Sequence, residues 1–297
     1  FKKAGAHGKQ SLTMAMGFGC NAAGIIATRV IDSPRERLIA ILTNNFVPCN
    51  GRFPTLIMLA TVFVAASFPP ALTSVIAAGS VVTVVVIGII FTLVISGVLS
   101  RTVLRGEASA FSLELPPFRR PNLRQIFYTS LIDRTIFVLW RAIQTAAPAG
   151  AAIWLLANIY VGDTSLAWHI ANALRPLGNA VGLDGVILLA YIIAIPANEI
   201  VVPTMMMMYL GAGMMTDMPA YSEMHTMLVG QYGWTTLTAI NLMLFSLLHN
   251  PCATTIMTMW KETRSLKWTT LGALGPLVIA FAVTFLVAVV ARAFGLG

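Results

Sequence analysis

The feature that most constrains this sequence is the length of its uncharged runs. Residues 53–100 contain no Asp, Glu, Lys or Arg, and further uncharged windows cover 142–162, 200–216, 224–260 and 268–291. A helix needs roughly 20 apolar residues to cross about 30 Å of hydrocarbon, and several of these windows are long enough. Only 10% of the residues are charged, too few to cover the surface of a water-soluble enzyme. The sequence therefore predicts an all-α, polytopic transmembrane helical bundle.

The basic residues lie between the apolar runs, where Lys and Arg mark cytoplasmic connections. A net charge of +8 would suggest nucleic acid in a soluble protein, but here it indicates orientation, and we expect no nucleic-acid partner. Arg175 is the only basic residue across 142–260. We predict that 101–124 and 261–267 face the cytoplasm, and that the connections in 162–184 and 211–232 face outward.

Residues 1–297 are predicted to form a single membrane domain in three sections. A first gate half covers about 1–104, a cytoplasmic loop and an interfacial helix cover about 105–141, and a second gate half covers about 142–297. Pro116, Pro117 and Pro121 exclude a regular helix from the loop.

Individual apolar segments predict crossings within these sections. In the first half, a short apolar piece at 38–48 precedes two membrane helices, at about 54–68 and 71–100, separated by Pro69-Pro70. In the second half, 142–161 and 268–291 are expected to cross. Residues 185–210 lie between two outward connections and contain Pro196 and Pro203, so this segment is predicted to be re-entrant.

Four interruptions of the apolar segments are the strongest functional signal. We name them break one (17–21, GFGCN), break two (48–52, PCNGR), break three (196–199, PANE) and break four (250–255, NPCATT). Non-helical backbone at membrane depth is tolerated only where protein buries it or where it lines a wet cavity. Interrupted segments in corresponding halves of a transporter also mark its substrate site. When breaks one and two are compared with breaks three and four, their similar composition suggests a degenerate two-fold internal repeat.

The breaks concentrate metal-binding side chains. All three cysteines of the chain fall in them, and break three carries Glu199 instead, the only acid between Asp184 and Asp217. An acid at membrane depth costs about 2.5 kcal/mol or more. Thiol, carboxylate and amide groups together suit Fe(II), Mn(II) or Zn(II). The predicted metal ligands are Cys20, Cys49, Glu199 and Cys252, with Asn21, Asn198 and Asn250 as secondary candidates.

Structural interpretations of the same residues stay open. Cysteine also packs as a small apolar residue, and Glu199 could be a paired structural carboxylate. Met205–Met208 could form a soft-metal ladder with Met214, Met215 and Met218, but four consecutive residues point to all sides of a helix, which favours packing. His225 and His249 lack the spacing of a zinc-protease helix, so no intramembrane enzyme is predicted.

Five segments resemble the membrane domain of ferrous iron transport protein B, a prokaryotic Fe(II) transporter family. The similarity runs in order over about 17–268, nearly the whole chain. Two departures occur: Ala23 stands where the family usually has Pro, and Asn198 where it commonly has Lys. The resembling segments are Gly17–Asn21 with Ala27–Arg29 and Arg35–Arg37; Pro48-Cys49 with Arg52 and Pro54; Leu113–Pro117; Glu199–Val202; and Pro251–Thr254 with Lys261–Thr263 and Lys267-Trp268.

The resemblance implies a transporter, not an enzyme, in the inner or plasma membrane of a prokaryote, with Fe²⁺ as the transported ion and the bilayer as partner. It also implies a cytosolic G-domain that binds GTP and Mg²⁺. No GxxxxGK[ST] motif occurs in 1–297, so this domain is expected upstream or on another chain. Homo-oligomerisation is possible. The alternatives are transport of Mn²⁺, Zn²⁺ or a nucleoside, or a non-transporting membrane scaffold.

Overall fold

The structure is a computed structural model that describes residues 1, 4–104, 122–128, 136–162, 164–211 and 221–295. In these ranges the regular structure is helical apart from one antiparallel pair of two-residue strands, which confirms the all-α prediction. Most of the predicted cytoplasmic loop, 105–121, lies outside the described residues. Part of the predicted interfacial helix, 129–135, does so too, and its position at an interface stays a prediction.

The helices follow the apolar segments of the sequence, with short single turns between them. In the first half they are α1 (Gln10–Gly19), α2 (Asn21–Ala27), α3 (Pro34–Thr43), α4 (Phe53–Leu59) and α5 (Pro70–Arg101). The middle of the chain contains α6 (Leu123–Tyr128), α7 (Phe137–Asn158), β1 (Tyr160–Val161) and β2 (Thr164–Ser165). The second half contains α8 (Leu166–Ala180), α9 (Gly185–Ile193), α10 (Val201–Tyr209), α11 (Tyr221–Gly230), α12 (Thr236–Leu248), α13 (Ala253–Thr263) and α14 (Leu266–Ala293).

Side-chain caps explain where several of these helices begin. Asp184 accepts a hydrogen bond from the backbone N–H of Ile187 (2.7 Å) at the start of α9. Ser33 caps α3 and Thr235 caps α12 in the same way. Such caps satisfy backbone donors that have no partner inside the first helical turn. The local sequence therefore determines these helix starts.

Three segments of the described chain are long and apolar enough to cross a membrane: Pro34–Val64, Ala71–Arg101 and Leu266–Ala293. Only 22% and 28% of the apolar windows of α5 and α14 are buried within the protein, as expected for helices that face lipid. The sequence separates 38–48 from 54–68, but the structure joins both in one broken span. Taken together, α8 and α9 are also long and apolar enough to cross a membrane, but the two helices are bent by 111° relative to each other. Crossing by 142–161 stays a prediction.

Two helical hairpins have their tips at breaks one and three. In hairpin one (α1–α2), the Lys9 ammonium group donates to the Val30 carbonyl (2.7 Å) and pairs with Asp32 (3.0 Å), which brings the two open ends together. In hairpin two (α9–α10), the Tyr209 hydroxyl donates to the Asp184 carboxylate. The turn of the chain between 193 and 201 is therefore a true reversal, consistent with the re-entrant segment predicted for 185–210.

The two halves are inverted relative to one another. A basic end contains Lys9, Arg29, Arg35, Arg37 and Glu262, tied by contacts among hairpin one, α3, α13 and the end of α5. The opposite end contains Asp184, Tyr209, Tyr232 and Trp234, where hairpin two opens and α12 begins. Each half contains a hairpin, a broken span and a long span; the hairpin and the broken span begin at the basic end in the first half and at the opposite end in the second half. Such inverted repeats are a common architecture of transporters.

The core lies between these elements and accounts for the methionines. Met205, Met206 and Met207 are buried, and Met205 and Met206 belong to the core cluster that contains α4, α9 and α12 side chains, so these methionines pack rather than form a ladder along one face. Met214, Met215 and Met218 lie outside the described residues. His225 packs against the Phe63 ring, with centroids 5.6 Å apart. The prediction of ordinary packing holds for the methionines that the structure describes.

Candidate metal path at the four helix breaks

Breaks one and three have the same backbone geometry at their tips. Cys20 is extended, with φ −156° and ψ 125°, and Ala197 is nearly identical, with φ −151° and ψ 119°. Each is followed by a buried asparagine, Asn21 or Asn198, which begins the returning helical segment. The structural counterpart of Cys20 is therefore Ala197, and Glu199 lies two residues further along. The sequence pattern alone had matched Glu199 with the cysteines.

Breaks two and four also share a backbone geometry. Each has a Pro-Cys pair, and the cysteines are extended, with φ −81° and ψ 168° at Cys49 and φ −64° and ψ 160° at Cys252. Each cysteine directly precedes a helical segment whose first backbone N–H groups lack a helical partner. The residues three positions after the cysteines differ, however: they are Arg52 and Thr255.

Break three meets break two. The Glu199 side chain lies directly against the backbone of Gly51: a β-carbon added at Gly51 would be 2.5 Å from Glu199 Oε1 and 2.7 Å from its Cδ. Only glycine leaves room for the carboxyl group there. The absence of a side chain at position 51 therefore places the acid of the second half beside the Cys49 loop of the first half.

Break one meets break four in the corresponding way. α2, which begins directly after Cys20, packs on α13, which begins directly after Cys252, and Asn21 donates to the Val47 carbonyl just before break two. The Cys252 Sγ is also hydrogen-bonded to Thr255 Oγ1, at 3.3 Å. Cys20 is exposed, and Cys49 and Cys252 are half-buried. The three cysteine-containing turns therefore lie next to one another between the halves.

Backbone hydrogen bonds hold the breaks to each other. The Ala253 N–H donates to the Ile195 carbonyl at 2.8 Å, which joins break four to the tip of hairpin two. The Asn45 side-chain amide donates to the His249 carbonyl at 2.7 Å, which joins the turn before break two to the turn before break four. The fold thus brings all four breaks to one junction, which we call the break junction.

The asparagines of the breaks have different surroundings. The Asn44 amide donates to the Asn21 carbonyl at 3.0 Å, and in its better amide orientation Asn21 donates to the carbonyls of Gly17 and Val47, each at 3.2 Å. Asn21 therefore supports the backbone of break one. Asn250 makes a local bond of 3.4 Å to the Pro251 carbonyl. These bonds favour a supporting role for Asn21.

Arg52 is a residue that the sequence analysis named only as part of a motif. It is 1% exposed, and its guanidinium group donates to the carbonyls of Asn45, Leu247 and His249. A fourth bond goes to Asn45 Oδ1, at 3.0 Å. The signal that could have found it is its isolation: it is the only charged residue between Arg37 and Arg101, and a charge within an apolar segment marks a functional site by default.

The donors at the break junction do not form a closed cage. Within the described ranges, no group of three or more His, Cys, Asp and Glu side chains is arranged to hold a metal ion. His249 is buried, with its Nδ1 at 2.9 Å from the Ser246 carbonyl and its ring stacked on Phe245, so it supports the end of α12. An open, distributed set of donors suits an ion that must leave again.

An ion-pair cluster closes the basic end. Glu262 on α13 accepts three hydrogen bonds from Arg29, two from its Nε at 3.0 and 3.1 Å and one from its Nη2 at 2.5 Å, and one from Arg37 at 2.5 Å. Arg29 follows hairpin one and Arg37 lies on α3, so the cluster links the two halves of the molecule. The hydrogen bonds from Arg29 hold the pKa of Glu262 below its usual range. We call these three residues the ionic tie.

Comparison with known proteins gives similarity over nearly the whole chain. A family model described as nucleoside recognition matches residues 1–63 and 139–266, and one described as ferrous iron transport protein B C terminus matches 81–133. The chain is similar to proteins named Fe(2+) transporter FeoB. The Synechocystis sp. relative is 27% identical over 95% of this chain, the Staphylococcus aureus (strain MSSA476) relative 30% over 95%, and the Methanocaldococcus jannaschii relative 26% over 97%.

These relatives are longer than the chain. The aligned region covers 44%, 40% and 42% of the three relatives, respectively, so the chain spans about two fifths of their length. No solved structure matches it.

Proposed function

Because the chain belongs to the ferrous iron transport protein B family, we propose that it forms the membrane path through which Fe²⁺ crosses a lipid bilayer. It is a multi-pass membrane protein that corresponds to the C-terminal membrane part of the family. The relatives carry the name Fe(2+) transporter, which supports a transporter and not an enzyme. The membrane that we propose is the inner or plasma membrane of a prokaryote.

The observation that carries the proposal is the break junction. Cys20, Cys49 and Cys252 are distant in sequence, yet the turns that contain them are joined by packing and hydrogen bonds, and Glu199 reaches the loop of Cys49 from the other half. Borderline divalent ions such as Fe²⁺ accept thiolate, carboxylate and amide ligands together. We propose that these four side chains line the path, with Asn198 and Asn250 as further oxygen donors and Asn21 as a support for break one.

The proposed passage is a partial exchange of ligands. Hydrated Fe²⁺ loses some of its water to Glu199 and then to the thiols, and because no closed cage surrounds it, the ion is released on the far side. Two inverted hairpins whose tips meet at the junction provide a natural pair of gates, since each hairpin opens toward a different end.

A cytosolic G-domain is proposed as the partner that drives these gates. The ionic tie is the point where such a domain could act, because it links hairpin one and α3 to α13 at the basic end. By the positive-inside rule, we propose that this end faces the cytoplasm. GTP and Mg²⁺ would then be bound by the partner domain, not by residues 1–297.

The test is Fe²⁺ uptake into proteoliposomes by Cys20→Ser, Cys252→Ser and Glu199→Ala. We expect at least one of them to reduce uptake about ten-fold or more, because each removes a ligand at the break junction. Glu223→Ala, which removes an exposed acid on α11, is the matched control and should keep full uptake. Wild-type uptake in all three variants would contradict the proposed path.

Nucleoside transport is the second candidate function. The matching family model is described as nucleoside recognition, and a cavity of about 460 Å³ at the opposite end is lined by Trp168, Tyr209, Tyr232 and Trp234 together with Asp184. Cavities of this size accommodate small organic ligands. Competition between Fe²⁺, Mn²⁺, Zn²⁺ and a nucleoside separates the candidates: inhibition of Fe²⁺ uptake by Mn²⁺ or Zn²⁺ alone supports a metal path. A scaffold would show no flux of any of them.

A further inference from the structure

The Arg52 guanidinium group lies at the centre of the break junction without a carboxylate partner. It is the largest fully buried side chain among the described residues, and none of the salt bridges found there includes it. Its Nη1 donates to the Asn45 and Leu247 carbonyls at 2.7 and 2.9 Å, and its Nη2 donates to Asn45 Oδ1 and the His249 carbonyl at 3.0 and 3.2 Å. Four amide-type oxygens therefore surround one positive charge.

These oxygens belong to the ends of the two half-helices that precede breaks two and four. Asn45 lies in the turn after α3, and Leu247 and His249 lie at the end of α12. The last carbonyls of a helix have no helical donor and carry a partial negative charge. In discontinuous membrane helices such carbonyls coordinate the transported cation. In this chain, a side-chain cation occupies them.

The fold of a Pro-Cys break does not by itself require this charge. At break four, the residue three positions after the cysteine is Thr255, and the backbone of Cys252 is nearly the same as that of Cys49. A buried guanidinium group is costly to desolvate even when it is hydrogen-bonded. Its Nε also has no partner among the described residues. A purely structural link between the two helix ends could therefore be made by a neutral side chain, with a lower desolvation cost than an arginine has.

The charge also lies where a transported cation would pass. Arg52 lies three residues after Cys49 and donates to the carbonyl of His249, which lies three residues before Cys252, so it stands between two of the proposed ligands. A divalent ion between these thiols would be repelled by the guanidinium group and would find the half-helix carbonyls already occupied. The repulsion is strong because the side chain is buried away from water.

We propose that Arg52 is a tethered cation that blocks the break junction, and that a metal ion passes only when the guanidinium group leaves the carbonyls of Asn45, Leu247 and His249. This inference rests on the proposed function as a cation path. It makes Arg52 a positioning residue that sets the barrier to cation passage, whereas the thiols and Glu199 act as ligands.

The test compares passive Mn²⁺ influx into proteoliposomes that contain wild-type protein, Arg52→Gln, Arg52→Lys or Arg292→Gln. Removing the buried positive charge should raise influx per folded protein about ten-fold, because local cation concentration rises when a repelling charge is lost. Arg292→Gln is the matched control: Arg292 also donates to a helix-end carbonyl, that of Asn179, but at the exposed periphery. It should leave influx unchanged.

Chemical rescue separates a blocking charge from a structural tie. Guanidinium ions at millimolar concentration should lower the influx through Arg52→Gln toward the wild-type value, whereas neutral urea at the same concentration should not. A folded Arg52→Gln with influx at or below the wild-type value, or with no response to guanidinium, overturns the inference.

If Arg52→Gln does not fold, Arg52→Met takes its place: methionine fills much of the same volume without a charge, so influx above the wild-type value supports the inference and influx at or below it overturns the inference. Arg52→Lys keeps the positive charge, so its influx should stay below that of the uncharged variant, and influx equal to that variant's also overturns the inference. Wild-type protein that carries no Fe²⁺ would contradict only the proposed function. The effect of the Arg52 variants is measured with Mn²⁺ against the same wild-type protein.

Discussion

Break two and break four have nearly the same backbone but different residues three positions after their cysteines. In break two, Arg52 donates to a carbonyl at the end of α12, about two hundred positions away, whereas in break four Thr255 is hydrogen-bonded to the neighbouring Cys252. The Pro-Cys pair is therefore sufficient to interrupt a helix, and the side chain that follows decides what the interruption does. One half contributes a charge that joins the halves, and the other keeps a neutral local bond.

The largest loss of stability is expected when Arg52 of break two is replaced by threonine, the residue at the corresponding position of break four. Arg52→Thr leaves the carbonyls of Asn45, Leu247 and His249 without their buried donor, which should lower the free energy of unfolding by about 3 kcal/mol. Thr255→Val removes one hydrogen bond to Cys252 and should cost about 1 kcal/mol. Urea unfolding in detergent measures both. An equal cost for the two variants would contradict the asymmetry between the breaks.

The second-largest loss of stability is expected from a substitution in α5, the helix that packs against break two. A β-carbon at Gly88 of α5 would lie 2.5 Å from the Phe46 carbonyl oxygen and 3.0 Å from Leu247 Cδ1. Gly88→Ala should therefore destabilise the protein by about 2 kcal/mol, since backbone must move to make room. Gly79→Ala in the same helix meets no atom within 4 Å and should be neutral in the same unfolding assay. Equal stability of the two variants would show that α5 is not closely packed against break two at Gly88.

A smaller effect is expected at the ionic tie, where the two halves are joined by charges near the surface. Glu262→Gln should cost about 1 kcal/mol, because Arg29 and Arg37 lose a charged acceptor while remaining partly hydrated. Glu223→Gln on α11 provides the control, since this acid is exposed. Thermal unfolding at neutral pH compares the two, and an unchanged midpoint for Glu262→Gln would exclude the tie as a stabilising contact.

The pH dependence of the ionic tie has a defined sign. The pKa of Glu262 is lowered by hydrogen bonds from Arg29, so its contribution is complete above the usual carboxyl pKa and is lost as pH falls through the lower folded-state pKa. The difference in stability between wild type and Glu262→Gln should therefore shrink in acid. A difference that grows as pH falls would contradict this assignment.

The smallest stability effect is expected where break three meets break two. Gly51→Ala would displace the Glu199 carboxyl group, but that group is the end of a flexible side chain, so the unfolding free energy should change by less than about 0.5 kcal/mol. Fe²⁺ uptake should nevertheless fall several-fold if Glu199 is a ligand. Thr254→Ala is the control at the corresponding position of break four. Loss of stability without loss of uptake would argue against a functional contact.

The architecture was predictable from the sequence because its signals are local. Long uncharged runs predicted the membrane helices, Pro69-Pro70 separated α4 from α5, and Pro196 and Pro203 marked the reversal of 185–210. The same local reasoning separated 38–48 from 54–68, which the structure joins. The pattern of apolar residues does not show whether two helical segments on either side of a break form one membrane span or two separate segments.

The candidate site was only partly predictable. The cysteines and Glu199 could be singled out because polar groups at breaks within apolar segments are rare. Arg52 was treated as a motif residue, since its acceptors at Leu247 and His249 lie about two hundred positions away. The sequence shows that break three has Glu199 in place of a cysteine, but not that the residue with the backbone geometry of Cys20 is Ala197, two positions earlier.

The amino-acid sequence by itself determined that this chain is an all-α membrane protein with four interrupted helices, because hydrophobic length, charge spacing and proline act over one or two helical turns. Only the tertiary structure decided that the two halves are inverted, that break one meets four and three meets two, and that a buried arginine lies between them. These pairings depend on packing between segments far apart in the chain, where a missing side chain at Gly51 matters as much as the side chains that are present.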